Sequence, residues 1–419
     1  MHKTWRDTTW GEEVTLNYGK AIRGYQDKIG PYRVYGSNGA VGWHTEMLAN
    51  GPGVILGRKG AYRGVRYSRD PFFVIDTAYY LTPKAEMNMR WLYYAVIHHR
   101  LGEIDDGSPI PSTTRAAVYV CPVQIPPLCE QEHIADVLGS LDDKIELNRR
   151  MNETLEAMAQ AIFHDWFVDF GPTRRKLEGA TDPLTIMGGL VQDVERAQAL
   201  ADLFPDALGD DGLPEGWREK ELGSLVVLLK RGLTPSYCDG GVPVINQKCI
   251  RNGHVNFAVA RRHDSVKRPP KERALQEEDV LVNSTGVGTL GRVATVRGLK
   301  EEATADSHVT ICRADADRIS KLVFSLFLEG QQSLIETMGH GSTGQTELSP
   351  SSLAALRIPV APSQIQKAFD AIAAPLRSKV TANAEQSLTL AATRDLLLPK
   401  LMSGEIRLSE AEGLMEAAQ

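Results

Sequence analysis

The chain repeats one structural plan about 235 residues apart and ends each copy with a long amphipathic helix. In both helices the inward positions alternate four and three residues apart, which is the spacing of a coiled-coil seam. The first seam comprises Ile134, Leu138, Leu141, Ile145, Asn148, Asn152, Leu155, Ala159, Ile162 and Trp166. The second comprises Phe369, Ala373, Leu376, Val380, Asn383, Ser387, Leu390, Arg394, Leu397 and Leu401. Two such seams in one chain predict that the helices pack together.

The two seams match in polar as well as apolar positions. The matching pairs are Leu141 with Leu376, Lys144 with Lys379, Ile145 with Val380, and Asn148 with Asn383. An asparagine within a seam weakens packing but fixes register and partner choice. Any long amphipathic helix carries an apolar stripe, whereas the shared asparagine favours a duplication.

The segments before the helices also correspond. Residues 55–65, ILGRKGAYRGV, align with residues 281–293, LVNSTGVGTLGRV, with two more residues in the second glycine turn. Further matches, in the same order, are Ile75-Asp76-Thr77 with Ala305-Asp306-Ser307, Gly107-Ser108 with Gly341-Ser342, and Ile125-Pro126 with Ile358-Pro359. The chain is therefore predicted to contain two related domains in tandem, each followed by a long helix.

Short β-like runs between glycine and proline turns, with one helical stretch per domain, predict the α+β class. The expected strands are 53–56, 72–75, 79–81, 118–125, 242–246, 279–283, 291–296 and 307–312, and the expected helices are 89–99 and 319–338. The expected boundaries are 1–128 for the first domain, 129–170 for the first long helix, 171–214 for an exposed linker with a short helix at 191–203, 215–361 for the second domain, 362–404 for the second long helix and 405–419 for a tail. Pro375 predicts a kink or a restart in the second helix.

Composition narrows the class of protein. No apolar run reaches the roughly 18 residues that span a bilayer, and the first ten residues lack a signal-peptide core, so a cytoplasmic location is expected. The five cysteines form no C-x-x-C pair and the ten histidines show no metal-ligand spacing, so no bound metal is expected.

The net charge of −6 is unevenly distributed. The two domains carry +4 and +2, whereas the first helix carries −7 and the linker −4. This distribution permits DNA binding by the domains, although ordinary surfaces also show such modest excesses.

Residues 286–291 match G-x-G-x-x-G, but a dinucleotide site needs a helix immediately after the glycines. The following residues, 292–296, have the pattern of a strand, which predicts a glycine-rich hairpin turn instead. The chain contains no G-x-x-x-x-G-K-[ST] phosphate loop, and no set of nucleophile, base and orienting group emerges. No catalytic residue is therefore predicted.

The remaining polar loop residues suit base edges, since Arg and Lys bind guanine while Asn and Gln bind adenine. The candidates in the first domain are Tyr35, Ser37, Asn38, Arg58, Lys59, Arg63 and Arg66. Those in the second are Lys230, Arg231, Gln247, Lys248, Asn283, Ser284, Thr285, Ser342, Thr343 and Gln345. The basic run 261–271 is expected to face phosphates or to be a free loop.

Over nearly its whole length the chain resembles the specificity subunit of type I restriction-modification systems. The resemblance rests on YGK at 18–20, YGSNG at 35–39, GRKG at 57–60, IDT at 75–77, SLDDKIELN at 140–148, WFVDF at 166–170, VNSTG at 282–286, GTLGR at 288–292 and LPKLMSGEI at 398–406. Most of these motifs are weak individually, but as a set they are highly specific.

The resemblance implies two target recognition domains, each reading one half of a bipartite site in double-stranded DNA. It also implies that the long helices form an antiparallel coiled coil with pseudo-twofold symmetry, which sets the spacer and docks two modification (methyltransferase) subunits. S-adenosylmethionine would then belong to the methyltransferase, and ATP and magnesium to a restriction subunit if one is present. This chain would hold no cofactor and would not be an enzyme, and its unlike glycine turns predict unlike half-sites.

Two other classes of function stay open at this level. A stand-alone DNA-binding or regulatory protein would bind its site without methyltransferase subunits. A nucleotide-dependent enzyme would use the glycine turn and would bind a dinucleotide or S-adenosylmethionine alone.

Overall fold

The computed structural model describes residues 5–27, 29–105, 107, 111–339, 347–406 and 413. The chain divides into two compact units. Unit 1 combines residues 1–149 with residues 384–419, and unit 2 comprises residues 150–383.

Unit 1 contains the elements of the first domain. Its strands are β1 (Arg6–Thr9), β2 (Val14–Tyr18), β3 (Tyr32–Gly36), β4 (Gly39–His44), β5 (Gly53–Gly57), β6 (Val65–Ser68), β7 (Phe72–Val74), β8 (Ala78–Pro83) and β9 (Pro122–Ile125). Its helices are α1 (Trp10–Glu13), α2 (Met89–His98), α3 (Arg115–Tyr119) and the first half of the long helix α4 (Leu128–Phe167).

The strands of unit 1 form a four-stranded antiparallel sheet in the order β2-β8-β5-β6, a three-stranded sheet β4-β3-β7 and the pair β1-β9. Within the three-stranded sheet, β3 and β7 run parallel. Strand β5 lies inside the larger sheet and is buried along its length, as its continuous apolar sequence predicts. Helix α2 begins where the side chain of Asn88 accepts hydrogen bonds from the backbone of Arg90 and Trp91, and it buries Trp91 and Leu92 in the core.

Unit 2 contains the elements of the second domain. Its strands are β10 (Arg218–Glu221), β11 (Val226–Arg231), β12 (Tyr237–Ile245), β13 (Ile250–Arg251), β14 (His254–Val255), β15 (Arg261–His263), β16 (Val280–Asn283), β17 (Val293–Thr295), β18 (Thr304–Ala305), β19 (Val309–Ala314) and β20 (Arg357–Val360). Its helices are α5 (Gly171–Leu177), α6 (Pro183–Ile186), α7 (Val194–Ala201), α8 (Lys321–Gly330), α9 (Gln332–Thr337) and α10 (Pro350–Ala354). The second long helix, α11 (Ser363–Met402), begins in unit 2 and ends in unit 1.

The sheets of unit 2 repeat the topology of unit 1. The four-stranded sheet runs β11-β19-β16-β17, the three-stranded sheet runs β15-β12-β18, and β10 pairs with β20. Strands β12 and β18 again run parallel, while the hairpin β13-β14 is an addition. Because strands of equivalent position pair in the same order and direction, the duplication seen in the sequence extends to the fold.

The two long helices each contain 40 residues, so each is roughly 60 Å long at ~1.5 Å per residue. In unit 1, Arg394 Nη1 donates to Asp142 Oδ1 at 2.7 Å. Further along, Asn148 Nδ2 donates to Gln386 Oε1 at 2.9 Å. The partner number on α11 falls as the number on α4 rises, which confirms antiparallel packing.

The same direction holds within unit 2. Asn383 Nδ2 donates to Asn152 Oδ1 at 2.8 Å, and the rings of Trp166 and Phe369 lie with centroids 5.9 Å apart. Eight of the predicted seam positions are buried or half-buried: Leu141, Ile145, Asn148, Leu155, Leu376, Val380, Asn383 and Leu390. Each unit thus contains an antiparallel pair of half-helices beside its sheets.

Residues 118–125 and the helix around Pro375 differ from the expected local structure. Residues 118–125 do not form one strand, because α3 ends at Tyr119 and β9 begins only at Pro122. Helix α11 does not restart at Pro375, whose ring lies on the exposed face while Ala373 on the buried face packs in the core of unit 2. The proline costs one backbone hydrogen bond, and the packed face keeps the helix continuous.

The region expected to be an exposed linker is instead partly folded onto unit 2. Helices α5, α6 and α7 occupy much of it, and Ile186, Met187, Ala201 and Phe204 are buried in the core. The edge of the Phe204 ring packs on Trp166 of α4, with centroids 5.0 Å apart. Apolar residues between the glycines and aspartates therefore anchor this segment.

Candidate nucleic-acid interface

The turn between β5 and β6 is held by backbone hydrogen bonds on both sides. Arg58 N donates to Thr77 O at 2.9 Å, and Thr113 N donates to Arg58 O at 2.9 Å. Gly64 N donates to Ser37 O at 2.8 Å, while the Ser37 hydroxyl lies 2.5 Å from Lys59 O. The turn is therefore a fixed platform.

The turn between β16 and β17 has an equivalent frame. Ser284 N donates to His308 O at 2.8 Å, and Leu348 N donates to Ser284 O at 2.8 Å. Gly60 and Gly286, which follow equivalent bridged residues, have φ of 107° and 102°, a conformation that favours glycine. The strand after Gly291 is antiparallel to β16, so the sequence 286–291 forms a hairpin turn as expected.

Several first-domain candidates have structural partners. Arg63 donates to three backbone oxygens, those of Gly60, Gly102 and Ile104, at 2.9, 2.8 and 3.3 Å. Half-buried Tyr35 packs edge-on against Phe72. These two side chains, with Ser37, support the platform.

Other first-domain candidates face solvent around that platform. Lys59, Arg66 and Asn38 are exposed, and Arg66 Nη2 donates to Asn38 O at 3.2 Å. Arg58 donates to Asp76 O at 3.0 Å, and its guanidinium lies 4.8 Å from the ring centre of Tyr18.

The structure adds two residues, Tyr18 and Arg115, that the sequence did not indicate as candidates. Arg115 places its guanidinium 4.0 Å from the ring centre of half-exposed Tyr18, so that ring contacts two arginines. Burial, together with the Tyr18 hydroxyl, raises the pKa of Tyr79 to about 12, which keeps this neighbouring phenol neutral. Arg115 lies in a helix far along the chain from Arg58, and no sequence spacing connects the two.

In the second domain several candidates form hydrogen bonds to other residues of the same domain. Asn283 is fully buried and donates to Thr289 O at 3.1 Å, while buried Ser284 shares a 2.6 Å hydrogen bond with the Thr310 hydroxyl. Gln247 Nε2 donates to Thr285 Oγ1 at 2.6 Å. Asn283 and Ser284 are thus buried and hydrogen-bonded within the domain, and the bond between Gln247 and Thr285 stiffens the turn.

The remaining second-domain candidates differ in their charge partners. Lys230 pairs with Glu272 at 2.9 Å, and Arg231 pairs with Glu347. Lys248 is exposed. Candidates Ser342, Thr343 and Gln345 lie outside the described residues, as do Ser108 and Gly341 of the expected match between residues 107–108 and 341–342.

The basic run 261–271 is anchored rather than free. The ring of buried His263 accepts a hydrogen bond from Ser236 N at 2.9 Å and its other nitrogen lies 2.8 Å from Arg268 O. Arg262 pairs with Glu301 at 2.7 Å. Lys267 is exposed.

The two turns thus share a frame but differ in charge. Within the described part of the chain, no carboxylate forms an ion pair with Arg58, Lys59, Arg66 or Arg115. Around the second turn, Lys230 and Arg231 are both paired. Unpaired arginine and lysine groups attract phosphate strongly, so these four side chains give the first platform a charge suited to phosphate contact.

No helix among the described residues is long and apolar enough to cross a membrane. The described residues likewise contain no group of three or more histidine, cysteine, aspartate or glutamate side chains arranged to hold a metal ion.

Comparison with known proteins gives one consistent family. Residues 17–157 match the family model described as type I restriction modification DNA specificity domain. The chain is 27% identical over 337 residues to the type I restriction enzyme HindI specificity subunit of Haemophilus influenzae, covering 71% of each chain. It is 23% identical over 367 residues to the MjaIX specificity subunit of Methanocaldococcus jannaschii, covering 85% of this chain and 78% of the relative.

A solved structure shares the fold. The type I restriction-modification S subunit from M. genitalium superposes with a TM-score of 0.58 at 16% identity, over 95% of this chain and 96% of that one. The family match, the two relatives and the duplicated fold agree with one another. In sequence over most of its length, and in fold, the chain is therefore similar to the DNA specificity subunits of type I restriction-modification systems.

Proposed function

We propose that this chain reads a bipartite, asymmetric site in double-stranded DNA, with one half-site bound by each domain. The observation that carries the proposal is the pair of equivalently framed turns, 58–64 and 284–292, which bear different side chains. The same backbone arrangement in both turns suits the same role in DNA binding. The bases that each turn contacts depend on its side chains, which differ.

The charge of the first turn supports contact with DNA. Arg58, Lys59 and Arg66 surround it without a described carboxylate partner, and Arg115 lies close to Arg58 through the ring of Tyr18. Phosphate contacts of this kind fix the orientation of a protein on the duplex and make its affinity depend on salt.

The long helices are the proposed docking surface for two methyltransferase subunits. The first helix region, 129–170, carries ten acidic and three basic residues, an excess suited to basic patches on a partner. S-adenosylmethionine would be held by the methyltransferase, and ATP with magnesium by a restriction subunit where one is present. The helices would also set the length of the spacer between half-sites, as a ruler does.

Selection of bound duplexes from random DNA by the chain assembled with its methyltransferase tests this proposal. The expected product has two different half-sites separated by a spacer of constant length. A palindrome would refute the asymmetry, and enrichment of no sequence would refute site reading. Equally tight and specific binding by the chain without methyltransferase would favour the stand-alone regulatory protein.

A further inference from the structure

The most exposed large apolar side chains of the two units lie on the two equivalent turns. Among the described residues, Tyr62 is 78% exposed and exceeds every other large apolar side chain of unit 1. Val287 is 93% exposed and does the same in unit 2. Single exposed apolar residues are common on surfaces, but two at matching turns are not expected from chance placement.

Each of these two side chains lies on a turn whose backbone is fixed by hydrogen bonds. In the first turn, Arg63 bonds the backbone of Gly60, Gly102 and Ile104, which pins the residue next to Tyr62. In the second, Arg292 Nη2 donates to Gly288 O at 2.7 Å beside Val287. Both side chains are therefore presented outward on fixed backbone, at little entropic cost to a binding partner.

The surroundings identify the class of partner. Tyr62 lies between Lys59 and Arg66 in sequence, on a platform whose cations have no described carboxylate partner. An aromatic ring amid unpaired cations suits nucleic acid, where phosphates meet the charge and bases meet the ring. A protein partner would instead need a carboxylate-rich surface with an apolar pocket.

We propose that Tyr62 and Val287 make direct apolar contacts with DNA bases, one in each half-site. Tyr62 contacts a base face or an opened base step, as aromatic and aliphatic wedges do, while Val287 contacts a thymine methyl group. This inference rests on the proposed function and names the specificity side chains of each domain.

Binding by Tyr62→Ser, Tyr62→Phe and Val287→Ser tests the inference. Each full-length variant is assembled with the methyltransferase and titrated against the duplex selected by the wild-type complex, and against duplexes with either half scrambled. Tyr62→Ser is expected to weaken binding to the selected duplex on the order of tenfold, with an unchanged salt slope, and Tyr62→Phe to stay near wild type. The loss from Tyr62→Ser should disappear when the half-site bound by the first domain is scrambled. The smaller loss from Val287→Ser should disappear when the half-site bound by the second domain is scrambled.

Val120→Ser is the matched control, because Val120 is 75% exposed in unit 1 but lies outside the turn. If Tyr62→Ser binds all duplexes as Val120→Ser does, the inference is wrong. If it instead loses methyltransferase assembly while DNA binding by the chain persists, the tip is a protein contact and the inference is also wrong. Failure of the wild-type complex to prefer any sequence removes the proposed function itself, a result distinguishable from both.

Discussion

At the scale of single residues, His99 is expected to make the stability of the first unit depend on pH. Burial lowers the pKa of His99, with a smaller contribution from neighbouring His98. The His99 ring packs edge-on against the buried ring of Trp10, with centroids 5.6 Å apart. A charged imidazole is disfavoured in this apolar contact, so folding selects the neutral form.

His99→Gln is expected to reduce the loss of stability on acidification. The unfolded histidine takes up a proton near its ordinary pKa of ~6.5, whereas the folded one takes it up only at lower pH. Wild-type stability should therefore be complete above that pH and fall as the pH drops toward the folded pKa. Melting temperatures measured across this window should fall less for His99→Gln than for wild type, and exposed His133→Gln serves as the control. Equal pH slopes for all three proteins would contradict the coupling.

The candidate residues show what sequence can and cannot predict at this scale. Arg63 and Arg66 are the same residue type three positions apart, yet the first bonds three backbone oxygens and the second is exposed. The difference depends on carbonyls near residues 102–104, which sequence spacing cannot place. The amide of Asn283 suits a base edge by residue type, and the structure shows that it donates to the backbone oxygen of Thr289 within the second turn.

At the scale of elements, the helices were the most predictable part. Helices α4 and α11 have the same length and begin at Leu128 and Ser363, which preserves the register of the sequence repeat. A long periodic pattern predicts a helix reliably because many contacts along it favour the same structure. In the short segment 118–125, one capping hydrogen bond from Ala117 N to the Thr114 hydroxyl favours a helix over the expected strand. The anchoring of the linker depended on burial of Phe204, a long-range contact.

The paired asparagines predict a strong coupling between the long helices. Asn383→Leu removes the donor that reaches Asn152 Oδ1 at 2.8 Å and should destabilise the protein by about 1 to 3 kcal/mol. The double replacement Asn383→Leu with Asn152→Leu should recover much of that loss, because both polar groups are then absent. Thermal melting of the two single variants and the double variant measures the coupling. Additive losses would contradict a direct interaction.

At the scale of the whole molecule, the chain repeats one fold with two glycine turns that carry different side chains. The first turn carries unpaired cations, whereas Lys230 and Arg231 beside the second are paired with Glu272 and Glu347. The two domains are therefore expected to contribute unequally to affinity, with the first supplying more of the salt-dependent part.

Lengthening both helices tests whether they set the spacer. Seven residues inserted after Arg149 and seven after Glu385 keep the coiled-coil repeat and add roughly 10 Å to each helix. The selected spacer should lengthen by about three base pairs, at ~3.4 Å each, while both half-sites stay the same. Seven residues inserted after Gly189, outside the long helices, should leave the spacer unchanged. An unaltered spacer in the helix variant would show that the long helices do not set the spacer length.

The most direct test of site-specific recognition is methylome sequencing of cells that express this chain with its proposed partner methyltransferase, compared with cells that express the methyltransferase alone. The account predicts N6-methyladenine in a bipartite motif with two unlike halves, present only when both proteins are made. A stable complex of the two proteins without new methylation, or the same motif from the methyltransferase alone, would contradict it.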